Sequence, residues 1–164
     1  MEKKCILTTA QANMKLRRMA FEIVERNHGQ SSILLAGIKE NGLLIAILLK
    51  ELLDKISGFQ TDVVGIEMDK MNPASFQLQE EFDCKEKLVI LVDDVVNSGK
   101  TMIYALLPFL YKPNKGLQTL TLVERSYKTY PLHVDYVGVS LATTLQDNIR
   151  VEIADGMILE ACLD

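Results

Sequence analysis

Two adjacent carboxylates, Asp93 and Asp94, close the apolar run Leu88 to Val92 and are followed almost at once by the donor-rich segment Asn97-Ser98-Gly99-Lys100-Thr101. An apolar run of that kind reads as a strand covered on both faces, as in the interior of a parallel sheet. Ligands of open α/β sheets bind beyond the carboxyl ends of such strands. Ser98 is a natural helix cap, and Met102 to Leu110 is apolar enough to be the helix that follows. A turn feeding a helix start offers backbone N–H groups to an anion, and the Ser98 and Thr101 hydroxyls and the Lys100 ammonium reinforce that cradle. The chemistry this suggests is capture of a sugar phosphate. Aspartates pointing into the cradle would repel it, so Asp93 and Asp94 are expected one step back, on sugar hydroxyls or a divalent cation.

Gly99-Lys100-Thr101 also invites a nucleoside-triphosphate P-loop, but that motif requires a glycine where Asp94 stands, and it is excluded. A purely structural strand-turn-helix accounts for one capping acid and leaves the second unexplained.

The elements that would position this segment can be read along the chain. Thr8-Thr9-Ala10-Gln11 has capping-box spacing, and Leu16, Met19, Ala20, Ile23 and Val24 recur at helical intervals until Asn27-His28-Gly29 stops the helix. Ile33 to Ala36 predicts a strand, Gly37 to Gly42 a tight loop, and Leu43 to Ile56 a helix apolar almost all round. Thr61 to Met68 predicts the next strand, and the polar stretch 69–87 a mobile lid. After the motif, Pro113-Asn114-Lys115-Gly116 predicts a turn, with strands at Leu117 to Val123, Val134 to Val139 and Val151 to Ile153. That order predicts a mostly parallel α/β sheet in one domain spanning residues 1–164.

Composition narrows the class. With 48% hydrophobic and 24% charged residues and no low-complexity tract, the chain is expected to be globular throughout. A net charge of -4 argues against a general polyanion-binding surface. Cys5, Cys84 and Cys162 lack metal-ligand spacing and read as plain thiols of a reducing cytoplasm, and His28 and His133 are isolated. The longest apolar run, Leu43 to Leu49, is far too short to span a bilayer, so a soluble cytoplasmic protein without membrane partners is expected.

The segment Leu88 to Thr101 resembles the phosphoribosyl-diphosphate (PRPP) binding motif of type I phosphoribosyltransferases: two acids, then a Ser/Thr-Gly-x-Thr loop. The resemblance runs from Ile6 to Glu160 and points to the pyrimidine-operon attenuator and uracil phosphoribosyltransferase (PyrR) family, through Glu25 to Gly29, Leu35 to Lys39, Leu122 to Arg125 and Val134 to Gly138. It implies the type I phosphoribosyltransferase fold, a mostly parallel central sheet flanked by helices with a small hood. It implies a magnesium-dependent transfer from PRPP to a nucleobase, forming a nucleoside monophosphate and pyrophosphate. Asp93 and Asp94 would be the catalytic acids, taking ribose hydroxyls and orienting Mg2+. Asn97, Ser98, Gly99, Lys100 and Thr101 would hold the 5′-phosphate. Ile38, Lys39 and Lys70 would face the pyrophosphate, and Arg125 and Tyr127 the base.

The chain departs from that pattern at Glu40-Asn41, where the family has Thr-Arg, and in the lid, which lacks the family's Tyr-Arg pair. Both departures predict weaker leaving-group binding, because a lysine does not reproduce a bidentate guanidinium. Asn97 stands where purine enzymes often place an acid/base aspartate, which ranks uracil above a 6-oxopurine. The alternative is a regulator that binds PRPP or nucleotide with weak turnover. RNA binding through Lys15, Arg17, Arg18 and Arg26 on the first helix ranks below catalysis. A homodimer or higher assembly is also expected, from the apolar girth of the helix Leu43 to Leu53.

Overall fold

The computed structural model describes residues 4–68, 76–78, 81–142 and 147–163, with 76–78 described as backbone. Their elements run β1 (Lys4–Thr8), α1 (Thr9–Arg26), β2 (Ser32–Ile38), α2 (Lys39–Ile56), β3 (Gln60–Met68), β4 (Phe76–Leu78), β5 (Leu88–Val96), α3 (Lys100–Leu110), β6 (Gly116–Arg125), β7 (Tyr136–Leu141), β8 (Ile149–Ala154) and β9 (Met157–Leu163). Six strands form the main sheet in the order β4-β3-β2-β5-β6-β7, and three form a smaller sheet, β1-β9-β8. Within the main sheet β3, β2, β5, β6 and β7 are parallel and only β4 runs against its neighbour. β5, the strand of the two acids, therefore has parallel partners on both sides, which explains its unbroken apolar run.

Side chains alternate across β2 and β5, so each strand feeds two cores. Ile33, Leu35, Leu88, Ile90 and Val92 pack with α1, α2 and the small sheet. Leu34, Ala36, Ile38, Val89 and Leu91 pack with Met102, Ala105 and Phe109 of α3. β5 is thereby fixed from above and below, and its carboxyl end is held rigidly.

The expected capping box at Thr8 is complete: its hydroxyl accepts from Gln11 N, and the Gln11 side chain accepts from Thr8 N at 2.9 Å. The helix ends as expected at Asn27, which is buried and whose Nδ2 donates to Ile23 O and to Tyr136 Oη, both at 2.9 Å. Other expectations shift. β2 runs on to Ile38 and α2 begins at Lys39, so the expected loop over Gly37 to Gly42 is replaced by a direct strand-to-helix junction. Gly37 and Gly42 permit it. A Cβ on Gly37 would stand 2.4 Å from Leu43 Cα, and one on Gly42 2.5 Å from Val92 O, so only glycines let the start of α2 lie on the ends of β2 and β5.

A small hood was expected, but of the strands of this small sheet only the core of β8 was anticipated. β1 and β9, from opposite ends of the chain, pair antiparallel with Cys5 opposite Cys162. β8 and β9 form a hairpin whose two turn residues, Asp155 and Gly156, have φ of 52° and 72°. Those values fit the type I′ turn that Asp-Gly favours. The apolar girth of α2 is mostly used within the chain, against the sheet and α1; of its large apolar residues only Ile47, at 42%, is exposed. Of the lid expected over 69–87, residues 69–75, 79 and 80 lie outside the described residues. No helix among the described residues is long and apolar enough to cross a membrane.

Candidate functional site

Asp93 and Asp94 are still within β5, and consecutive strand residues face opposite sides. Asp93 lines a small cavity of about 80 Å³ with Val95, Val96, Asn97, Ser98, Gly99, Thr101 and Met102. Asp94 lines a larger one of about 610 Å³ with Ile38, Lys39, Glu40, Asn41, Glu67 and Met68. The pair thus divides the space beyond β5 into two compartments, each at a helix start.

The first compartment is the turn into α3. Its cap is Gly99, in the left-handed region at φ 86°, one residue later than the expected Ser98. Ser98 Oγ instead accepts from Lys100 N at 3.3 Å, and Ser98 O accepts from Tyr130 N at 3.0 Å, which ties the turn to the segment after β6. Of the five residues expected here, Asn97, Ser98, Gly99 and Thr101 line the cavity. Lys100 is exposed and outside its lining.

Asp93 departs from expectation, for it faces this cradle rather than standing behind it. Asp93 is only 7% exposed, and burial first, then the Asp94 carboxylate beside it, push its pKa well above the usual carboxylate range, with Lys39 opposing. Both causes disfavour the charged form of this carboxyl. Asp93 Oδ1 also accepts from Asp94 N at 2.9 Å.

In the second compartment Lys39 takes a left-handed φ of 56°, uncommon for a residue with a side chain and a mark of local strain. α2 begins there behind Ile38, which supplies no side-chain cap, and the first N–H groups of the helix lack such a partner. Asn41 Nδ2 donates to Asp94 Oδ2 at 2.7 Å and to Val151 O of β8 at 3.4 Å, linking the acid pair to the small sheet. Asp94 Oδ1 accepts from Val95 N at 2.8 Å, and Thr121 Oγ1 lies 3.1 Å from Asp94 O, so backbone and side chain are both fixed. Lys70, the other expected contact here, lies outside the described residues.

A third cavity, of about 270 Å³, is lined by Asn97, Ser98, Arg125, Tyr127, Thr129, Asp147 and Asn148. Arg125 ends β6 and is buried at 5% exposure, donating to Asp147 O at 2.7 Å and Asn97 Oδ1 at 3.3 Å. Tyr127 is 79% exposed at the rim. Glu67, Thr129, Asp147 and Asn148 were missed by sequence reasoning. Glu67 could have been found, since it lies near the carboxyl end of a parallel strand; the others carry no motif. Of the cationic set on α1, Arg18 Nη2 donates to Val137 O and Gly138 O, and Arg26 Nη1 to Asp135 O, so two of its four cations fasten the helix to β7 and the segment before it.

An acid pair at the end of a central parallel strand, between two helix starts and beneath a small antiparallel sheet, defines the type I phosphoribosyltransferase architecture. Solved structures agree on the fold: the hypoxanthine phosphoribosyltransferase of Trypanosoma cruzi superimposes with a TM-score of 0.77 at 14% identity, covering 96% of this chain and 95% of that one. That of Staphylococcus aureus gives 0.71 at 13% identity, covering 84% and 77%. The family model described as phosphoribosyl transferase domain matches residues 4–152, and the chain belongs to that family. Among curated relatives, the bifunctional protein PyrR of Clostridium acetobutylicum is 32% identical over 161 residues, 92% of this chain and 90% of the relative. Bifunctional protein PyrR of Leuconostoc mesenteroides is 28% identical over 165 residues, 94% of each chain.

Proposed function

We propose that the chain transfers a phosphoribosyl group from PRPP to a nucleobase, with uracil the base its site suits, forming a nucleoside monophosphate and pyrophosphate. The observation that carries this is the division of the strand end by Asp93 and Asp94 into two helix-start compartments, one bounded by Asn97 to Thr101 and one by Ile38 to Asn41. A sugar carrying a phosphate at one end and a pyrophosphate at the other needs that arrangement.

In this reading the turn Asn97 to Thr101 holds the 5′-phosphate, and the start of α2 with Lys39 faces the pyrophosphate. Asp93 and Asp94 take the ribose hydroxyls between them. A base nitrogen forms its bond to C1 and gives up its proton to solvent or the departing pyrophosphate as the C1–oxygen bond breaks through a cation-like transition state, so the protein's part is to position both groups and favour the developing charges. Asp94, Glu40 and Glu67 line one cavity, and their carboxylate oxygens are the donor type a hard divalent cation takes. Mg2+ held there would neutralise charge on the departing pyrophosphate. Asn97 cannot transfer a proton as a carboxylate would, which favours a pyrimidine over a purine.

A second reading has its own support. Where the family pattern has arginine, Asn41 bonds Asp94, and Glu40 adds an anion beside the expected pyrophosphate. That set suits a ligand-binding regulator with weak turnover, a role in keeping with the bifunctional name of the relatives. Steady-state pyrophosphate release with PRPP, Mg2+ and a panel of bases separates the two. Turnover highest with uracil supports the transferase; background rates for every base, with PRPP still bound, support the regulator.

A further inference from the structure

The two strands that pair from opposite ends of the chain carry cysteines at one register position, Cys5 of β1 directly opposite Cys162 of β9. Directly opposite residues of an antiparallel pair project to the same face, with Cα atoms about 4.5–5.5 Å apart, inside the roughly 4.4–6.8 Å that disulfides span. The neighbours show which face this is. Val151 and Ala161 are paired and pack into the core beneath the small sheet, so Cys162, next along β9, is turned to the outer face. Its Sγ lies within 4.8 Å of carboxylate oxygens of Glu152 and Glu160, a pair on that same face. Cys162 is buried there, whereas Cys5 is exposed, and both are thiols. Cys162 Sγ donates to Arg150 O at 3.8 Å, a weak bond that oxidation gives up at little cost. β1 lies at the edge of the small sheet with a bulge just after Cys5, and it can close the roughly 1 Å between ordinary cross-strand Cβ spacing and that of a disulfide.

We propose that Cys5 and Cys162 are a redox modification site, which a small-molecule disulfide such as oxidised glutathione converts to an intramolecular disulfide clamping β1 to β9. The exposed Cys5 thiolate attacks one sulfur of the oxidant and expels one glutathione thiolate, leaving a mixed disulfide. The Cys162 sulfur then attacks the Cys5 sulfur and expels the second. Two cysteine thiols give up two electrons and two protons, and one oxidant disulfide becomes two thiols. The new bond closes a loop of roughly 160 residues and so restricts the unfolded chain. It also fastens the sheet whose Val151 O receives the Asn41 amide. Cys84 stands apart from the pair, buried in the other core with its Sγ donating to Pro113 O at 3.3 Å.

The test is titration of the folded wild type against mixtures of reduced and oxidised glutathione, followed by alkylation of the remaining thiols, peptide mapping, and melting of the oxidised and reduced forms. A Cys5 peptide joined to the Cys162 peptide of the same chain is expected, with Cys84 alkylated and a Tm above that of the reduced form by roughly 5–15 °C. Reductant is expected to restore the lower Tm. Cys5→Ser, at an exposed position, is expected to melt with the reduced wild type and to show no rise with oxidant. Arrest at a mixed disulfide of Cys5 with glutathione, a link between the Cys5 residues of two chains, linkage to Cys84, or thiols that all survive the oxidising mixtures would each overturn the proposal. So would a Cys5–Cys162 link without a rise in Tm, or the same rise in Cys5→Ser.

Discussion

The two helix starts that flank the acid pair are built alike and furnished differently. α2 and α3 each begin where a parallel strand ends, and neither cap residue supplies a side-chain bond, whereas α1, away from the acid pair, has a complete capping box. At α3 the lining includes hydroxyls, an amide and the buried Asp93 carboxyl, whose pKa burial raises. Among the described residues the α2 lining holds one cation, Lys39, with Glu40, Glu67 and Asp94. The scaffold offers the same backbone device twice, with side chains of different charge around it. The two linings thus differ in charge, one with a single acid and the other with three acids around Lys39.

Removing the shared wall tests both compartments together. Asp93→Asn with Asp94→Asn is expected to lower pyrophosphate release by about a thousandfold or more, since several positioned contacts to the transition state go at once. Release within a few-fold of wild type in a steady-state assay would show that the acids do not hold the sugar.

Refurnishing the weaker compartment comes next in size. Glu40→Thr with Asn41→Arg exchanges an anion for a cation beside the pyrophosphate while keeping a donor for Asp94, and is expected to raise turnover by roughly tenfold to a thousandfold. Tighter PRPP binding with turnover still at background would move the account to the regulator.

The backbone device itself can be broken at Gly42, where a Cβ would meet Val92 O at 2.5 Å. Gly42→Ala is expected to cost about 1–3 kcal/mol, a fall in Tm of several degrees, while Gly58→Ala, with nothing within 4 Å of its Cβ, stays close to wild type. Equal melting temperatures for the two variants would contradict the close approach of α2 to β5.

The smallest effect concerns pH. Because burial and Asp94 raise the Asp93 pKa, the folded state holds that proton more tightly than the unfolded chain. Stability therefore falls as pH rises from the ordinary carboxylate value, about 3.9, through the raised one. Without ligand, Asp93→Asn is expected to melt above wild type at pH 7, by about 2–4 °C for each 1 kcal/mol relieved, and the gap is expected to close below pH 4. A variant that melts below wild type at pH 7 would show that the buried charge carries no such cost.

Much of the parallel sheet was legible because its signals are local. The apolar run of β5, the apolar α3, the capping box at Thr8 and the stop at Asn27 all lie in windows that periodicity and cap chemistry can read. The acid pair and the four expected residues that line the cavity at the turn into α3 were legible for the same reason. β1 and β9 were not: each is short, and the partners lie at opposite ends of the chain, a pairing that no local pattern encodes. The Asp155-Gly156 turn was a readable sign of the β8–β9 hairpin and went unused. The amide contacts of Asn41 and Asn97 depend on which strands lie side by side, so they emerged only from the fold.

The central claim is that Asp93 and Asp94 hold the sugar of PRPP between two helix starts. Calorimetric titration of PRPP with Mg2+ into the wild type and into the Asp93→Asn, Asp94→Asn variant tests it most directly. The account predicts one PRPP site per chain in the wild type and loss of most of that affinity in the variant. PRPP binding of undiminished strength in a folded variant, or none in the wild type, would contradict it.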